Sequence, residues 1–371
     1  MASNGLARDD TRDVASNFRP VTLPIVSDFS LLDRHGVLES LLEEELSFDA
    51  TTSRGLTNHL PMALVAKSGL GASNEELRRF ANTYRRRLVE RGRPARELTS
   101  ATWKDAIGVA GAYEDLCEYF MRAVDEAGSE ATIRSHLGEL MSGICGAAFH
   151  GALRLAYALE ISSPPRIAAG LAYLAESAVP LGEPLPRATS QLGVDDVFSQ
   201  LSRSGDFPST ERGLISQAMQ DVAALPSFRS VVANCQVDDD APERLRAAAL
   251  ALFATTGDFT SLHAVTGVEA LNAIRTYAND IHAFDVACLT GVAAAYATVG
   301  APTFKSSDQL AQFSGERLVA AETIAAVGAT SDDEHVSKLV YSALRLREST
   351  GDDLYAAVAA RKAGLLADAA D

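Results

Sequence analysis

Five of the seven histidines, His59, His150, His263, His282 and His335, stand in or at the ends of helix-like segments with apolar company. Imidazoles so placed either hydrogen-bond within a core or converge as neutral nitrogen ligands on Fe, Mn or Zn, and ligand softness leaves iron in the set. His35, in DRHG, and His136, in RSHLGE, have charged neighbours and are expected at the surface. In MSGICGAAFHGALRLAYALE the series Gly143, Gly146, His150, Arg154, Tyr157 follows helical spacing, so small residues would lie beside a polar set facing one way. Glycine inside a helix costs roughly 1 kcal/mol relative to alanine. Gly143, Gly146 and Gly151 therefore point to close approach of another backbone or a ligand. Helix packing alone also accounts for them, and both readings of His150 stand at this level.

In SDDEHVSKLVYSALRLRE the spacing of Ser331 and Glu334 fits a capping box, which would put His335 and Lys338 on one face in the first two turns of a helix. The positive end of the helix dipole disfavours further cations, so a partly buried Lys338 would tend to a neutral amine, and a neutral amine reacts with carbon dioxide to give a metal-ligating carbamate. A surface lysine beside a capping residue is the alternative. TNHLP reads as the opening turn of a helix with His59 ahead of Pro61, and SLHAVTG as a short turn that carries His263 and closes at Gly267.

Helices must position these groups. Helical signals run over 61–69, 73–92, 103–126, 130–161, 165–178, 211–225, 242–255, 267–279, 282–299, 307–327, 332–348 and 352–368, while period-two alternation with hairpin turns is almost absent. The expectation is an all-α fold, a single large multi-helix array around a buried, histidine-lined pocket. Residues 1–26 read as a flexible arm without the apolar core of a secretory signal, leaving 27–371 as the helical domain. A Pro/Gly/Ser-rich excursion at 179–210 surrounds a weak helical patch at 194–201. The charge-free run 286–304 is long enough to span a bilayer, but its Ala, Thr and Gly content suits a buried helix better.

Formal charge is −16 and the sequence pI about 4.9. That balance disfavours nucleic acid or anionic lipid as a partner. The four cysteines form no CxxC pair, which argues against a disulfide scaffold or thiolate zinc site and for a reducing, cytoplasmic setting. GxGxxG after a strand, GxxxxGK[ST], HExxH, GxSxG and the EF-hand loop are all missing.

TNHLPMAL with SGLGAS and FANTY, AFHGALRLAYALE with AYLAE, SLHAVTG, and DEHVSKLVYSAL occur in one order along the chain, over roughly residues 40–362. Together they resemble the questin oxidase-like family of fungal polyketide pathways, which open anthraquinone rings by Baeyer-Villiger-type or related oxygen insertion. The resemblance implies an all-helical oxygenase with a flat aromatic substrate and dioxygen as partners. It also implies a non-heme iron on His59, His150, His263, His335 and a carboxylated Lys338. His282 matches no motif and stays in reserve. On this reading Arg154 and Tyr157 are candidate catalytic residues that hold a phenolate or carbonyl of the substrate. NADPH has been associated with family members, but no Rossmann fingerprint is present here, so an electron donor would need another site or a partner. Two other readings compete: a metal-independent oxygenase whose histidines and Lys338 act as bases, and a non-catalytic helical carrier of small molecules.

Overall fold

The computed structural model describes residues 31–181, 192–205, 207, 213–315 and 319–366. Its first half holds α1 (Leu31–Glu45), β1 (Phe48–Thr52), α2 (Leu60–Gly69), α3 (Asn74–Tyr84), β2 (Leu88–Glu90), α4 (Tyr113–Ala127), α5 (Ser129–Leu140), α6 (His150–Glu160) and α7 (Pro164–Glu176). There follow α8 (Val194–Ser204), α9 (Ile215–Ala224), α10 (Pro226–Val232), α11 (Ala241–Thr256), α12 (Phe259–Arg275), α13 (Ile281–Thr298), α14 (Ser307–Gly315), α15 (Ala321–Thr330), α16 (Glu334–Thr350) and α17 (Leu354–Lys362). The fold is all-α, and β1 and β2 form a two-stranded antiparallel sheet with Phe48 opposite Glu90.

Local chemistry explains the element ends. In α3 the Ser73 hydroxyl accepts from the Glu76 amide while the Glu76 carboxylate accepts from the Ser73 amide, and Leu77, Phe80, Ala81 and Tyr84 form its buried stripe. Prolines open α2, α7, α10 and α11, where the missing N–H has no helical partner to lose. The apolar α13 is the one helix among the described residues long and apolar enough to cross a membrane. Two thirds of it is buried against α9, α11 and α12, so it serves as a core helix.

Several boundaries differ from the sequence reading. The 130–161 run is broken between Leu140 and His150, 307–327 divides into α14 and α15, and α1 and α10 were not anticipated. The helix expected at 103–126 starts with a 3-10 turn, Trp103–Ala106, and resumes only at Tyr113. His263 sits well inside the long α12, which passes through Gly267 instead of ending there. Within the excursion, α8 buries Val194, Val197, Phe198 and Leu201 against the array, while 182–191, 206 and 208–212 lie outside the described residues, as does the 1–26 arm.

His136 is not a free surface group. Its Nδ1 hydrogen-bonds the Thr132 carbonyl, its Nε2 the Tyr119 hydroxyl, and its ring meets the single Trp, Trp103, edge on at 4.8 Å. Burial is the largest influence on it and lowers its pKa from the usual value, with a smaller lowering from Lys104. An imidazolium beside the indole quenches it, so Trp103 fluorescence should fall on acidification with a midpoint below about 6.5. Because the folded state holds this proton less tightly than the unfolded chain, the same step removes stability as pH falls below that value. His136→Gln should abolish the fluorescence titration; a curve unchanged in the variant would contradict the contact.

Candidate metal centre

Four helices bring their N-terminal turns to one place. His59 is the N-cap of α2, His150 the first residue of α6, His335 the second of α16, and His263 lies in the second turn of α12. The imidazoles close into a circuit: His59 stacks on His150 at 4.7 Å, His150 meets His263 at 4.9 Å, His263 meets His335 at 5.4 Å and His335 returns to His59 at 4.8 Å. Ligand atoms of His59, His150 and His335 all lie within 4.8 Å of one another. Lys338, fully buried one turn after His335, donates from Nζ to His59 Nδ1 at 3.3 Å.

Three of the rings are oriented from behind. His150 Nδ1 donates to the Ala147 carbonyl, His263 Nδ1 to the Phe259 carbonyl at 2.7 Å, and His335 Nδ1 to the Asp333 carboxylate at 3.1 Å. That fixes their tautomer with Nε2 as a lone-pair donor, the arrangement metal-ligating histidines adopt. His59 differs, its Nδ1 accepting from Lys338. The Nε2 of His150 is buried without a hydrogen-bond partner among the described residues, an orphaned acceptor that a metal would satisfy. Burial, first of all, and then the neighbouring cations, push all four pKa values down, that of His263 to about 3, so the rings are neutral at pH 7. Burial likewise lowers Lys338 to about 8, opposed by Glu334 and Asp333, which leaves a reactive share of free amine at neutral pH. The three imidazoles whose ligand atoms lie close together, with His263 beside them and a convertible lysine, fit a divalent metal of borderline softness.

The segment before His150 sets where that ring stands. Ala147, Ala148 and Phe149 all adopt left-handed φ, of 47°, 52° and 68°, at a cost of roughly 1–2 kcal/mol per residue for side chains other than glycine. The turn leads the chain into α6 and presents the Ala147 carbonyl to His150. So the expected helical series is corrected: Gly143 and Gly146 share no helix face with His150. A Cβ on Gly143 would lie 2.3 Å from Ala178, and one on Gly146 2.0 Å from the Ser177 carbonyl oxygen, so these glycines admit another backbone rather than a ligand. Phe149 pins the turn by lodging over Gly267 of α12 and Gly291 of α13. In Gly267→Ala the new Cβ would meet the Phe149 ring at 2.4 Å, a conflict expected to cost about 1–3 kcal/mol and to displace His150. Urea unfolding and metal affinity should both fall; a neutral result in both would dissociate the turn from the centre.

Arg154 and Tyr157 are not brought into the circuit. Arg154 is buried and pairs with buried Glu45 at 2.8 Å, with weaker donations to the Asn58 carbonyl and Tyr113 hydroxyl at 3.5 Å. Asn58 in turn donates to Glu45 at 2.9 Å and caps Leu60, while the His59 amide donates to the Tyr84 hydroxyl at 2.9 Å. The guanidinium thus holds the TNHLP turn. Tyr157 tilts against Tyr341 at 6.1 Å, and its buried hydroxyl lies beside the Ser342 side chain. Both line a cavity of about 20 Å3, room for a single water and not for an aromatic ring system.

Sequence reasoning missed Glu45, Tyr84, Asp333 and Glu334. Asp333, not Ser331, caps α16, accepting from the His335 amide at 2.8 Å, and Glu334 lies 3.7 Å from His59 Nδ1. An acid directly before the histidine of an HxxK pair was the available signal; Tyr84 and Glu45 offered none, being distant in sequence. His282 is exposed in the first turn of α13, apart from the circuit, and the His35 side chain lies outside the described residues.

No curated protein matches the chain. The model of the questin oxidase-like family does match, over residues 56–343, a span that contains all four circuit histidines and Lys338. The chain belongs to the questin oxidase-like family, and with it to the oxidoreductases of oxygenase type.

Proposed function

We propose that the protein inserts oxygen into an aromatic polyketide or quinone and cleaves a ring, at a non-heme iron held by His59, His150, His263 and His335 with Lys338 as its carbamate. The observation that carries this is the closed circuit of neutral imidazoles, three of which commit Nδ1 as a donor, with the His150 Nε2 left unsatisfied among the described residues. When bound, iron would supply the electron transfer that makes dioxygen reactive toward a closed-shell substrate.

The remaining work belongs to the chain. The Lys338 ammonium first loses a proton to solvent; the free amine then attacks carbon dioxide, an N–C bond forms as one C=O π bond breaks and a second proton leaves to solvent, so a cation becomes an anion where four positive helix ends meet. Asp333 keeps His335 oriented, and its carboxyl, held well below the usual range by that imidazole, stays ionised at neutral pH. The helical shell excludes water and keeps the imidazoles unprotonated. In this reading Arg154 is a positioning residue for His59, and Tyr157 packs against Tyr341 one turn beyond it. Electrons come from a partner or from a reduced substrate, and the four buried, unpaired cysteines suit a cytoplasmic setting.

A metal-independent oxygenase is favoured by one contact, Lys338 Nζ on His59 Nδ1, which could relay a proton from a reduced phenol. Oxygen uptake by iron-loaded and chelator-treated protein on a panel of hydroxyanthraquinones, with product masses, separates the two. Uptake that depends on iron supports the proposal, uptake indifferent to chelation supports the alternative, and no uptake in either form contradicts both.

A further inference from the structure

Phe259 opens α12 with 49% of its surface exposed, yet its ring meets two of the circuit imidazoles edge on, His263 at 4.6 Å and His335 at 4.7 Å. His335 is the more open of the two rings that Phe259 meets, with 14% of its side chain exposed against 2% for the His263 residue, so this is the side on which the centre approaches solvent. The acidic residues that flank His335 in sequence are paired, Lys362 reaching Asp333 at 3.4 Å and Arg87 reaching Glu334 at 3.4 Å. A large apolar ring left in water beside the centre is poor packing and good recognition: its π face accepts a flat ring by offset stacking and offers no such contact to a saturated molecule.

We propose that Phe259 is the stacking platform for a flat aromatic ligand at the mouth of the histidine centre, the ligand lying on its exposed face and reaching the imidazoles past its edge. The inference rests on the reading of the centre as a site for an aromatic substrate. Phe259 has two separable parts. Its carbonyl orients His263, and its side chain makes the platform, so trimming the side chain leaves the orientation of the candidate ligand in place.

The test uses anthraquinone-2-sulfonate, which lacks the adjacent hydroxyls that chelate metal, with cyclohexanesulfonate as the saturated control. Binding to the full-length wild type, Phe259→Ala, Phe259→Leu and Phe259→Trp is followed by calorimetry, with metal content and helical circular dichroism measured on each. The expected result is a Kd raised about tenfold in Phe259→Ala and Phe259→Leu, restored in Phe259→Trp, with metal content unchanged and no binding of the control. Equal affinity in all four proteins, or none in the wild type, would overturn the platform; so would loss of metal in Phe259→Ala and Phe259→Leu together. Failure of the iron reading looks different: a wild type that holds no metal but binds the probe in a Phe259-dependent way keeps the platform and removes the iron.

Discussion

Arg154→Met is expected to destabilise the protein by about 3–5 kcal/mol, because it leaves the Glu45 carboxylate buried, charged and unpaired. Both partners are almost fully shielded from solvent, 4% and 1% exposed, and the same carboxylate also serves Asn58, whose carbonyl Arg154 caps. Longer-range effects follow through His59, since the Asn58 side chain fixes the first amide of α2 immediately after it. The double variant Arg154→Met, Glu45→Leu removes both charges and should recover most of the loss, the pattern seen when a buried pair is replaced whole by apolar residues. Urea unfolding of the two variants decides the matter. A single variant within about 1 kcal/mol of wild type, with altered substrate affinity instead, would return Arg154 to the role of substrate holder.

His150→Ala should lower Fe(II) affinity at least about 100-fold, more than the 10–100-fold typical of losing a group that merely orients a ligand. His150 supplies the unpartnered Nε2, and its Nδ1 is committed to a carbonyl presented by three strained residues. The ring is therefore held in place at a cost in conformation and in hydrogen bonding, and that cost makes little sense for a packing residue. Helical circular dichroism should be unchanged, since α6 keeps its buried stripe of Leu153, Ala156 and Tyr157. Unaltered metal affinity would remove His150 from the centre.

Much of this was legible in the residues. Helix types followed from apolar spacing, and HLP, AFHG, LHAVT and HxxK marked the five groups that converge. Their convergence was not legible, because the contact of His59 with Lys338 spans 279 positions and no local pattern encodes it. The left-handed turn at Ala147–Phe149 was hidden for another reason: the two alanines carry the strongest helical propensity of any residue, and what overrides it is tertiary, the lodging of Phe149 over Gly267 and Gly291. Gly267 was read as a helix stop from its chemistry alone, whereas its missing side chain is what admits Phe149 to the middle of a helix. Arg154 stood at the right spacing for the site but found its partner on α1, a helix whose signal was too weak to place.

The most direct test is the metal content of wild-type protein, purified anaerobically from iron-supplemented cells and measured by inductively coupled plasma mass spectrometry. The account predicts close to one iron per chain, retained on dialysis at neutral pH and released on acidification as the imidazoles gain protons. A protein that holds no metal, even after anaerobic reconstitution with Fe(II), Mn(II) or Zn(II), would contradict it.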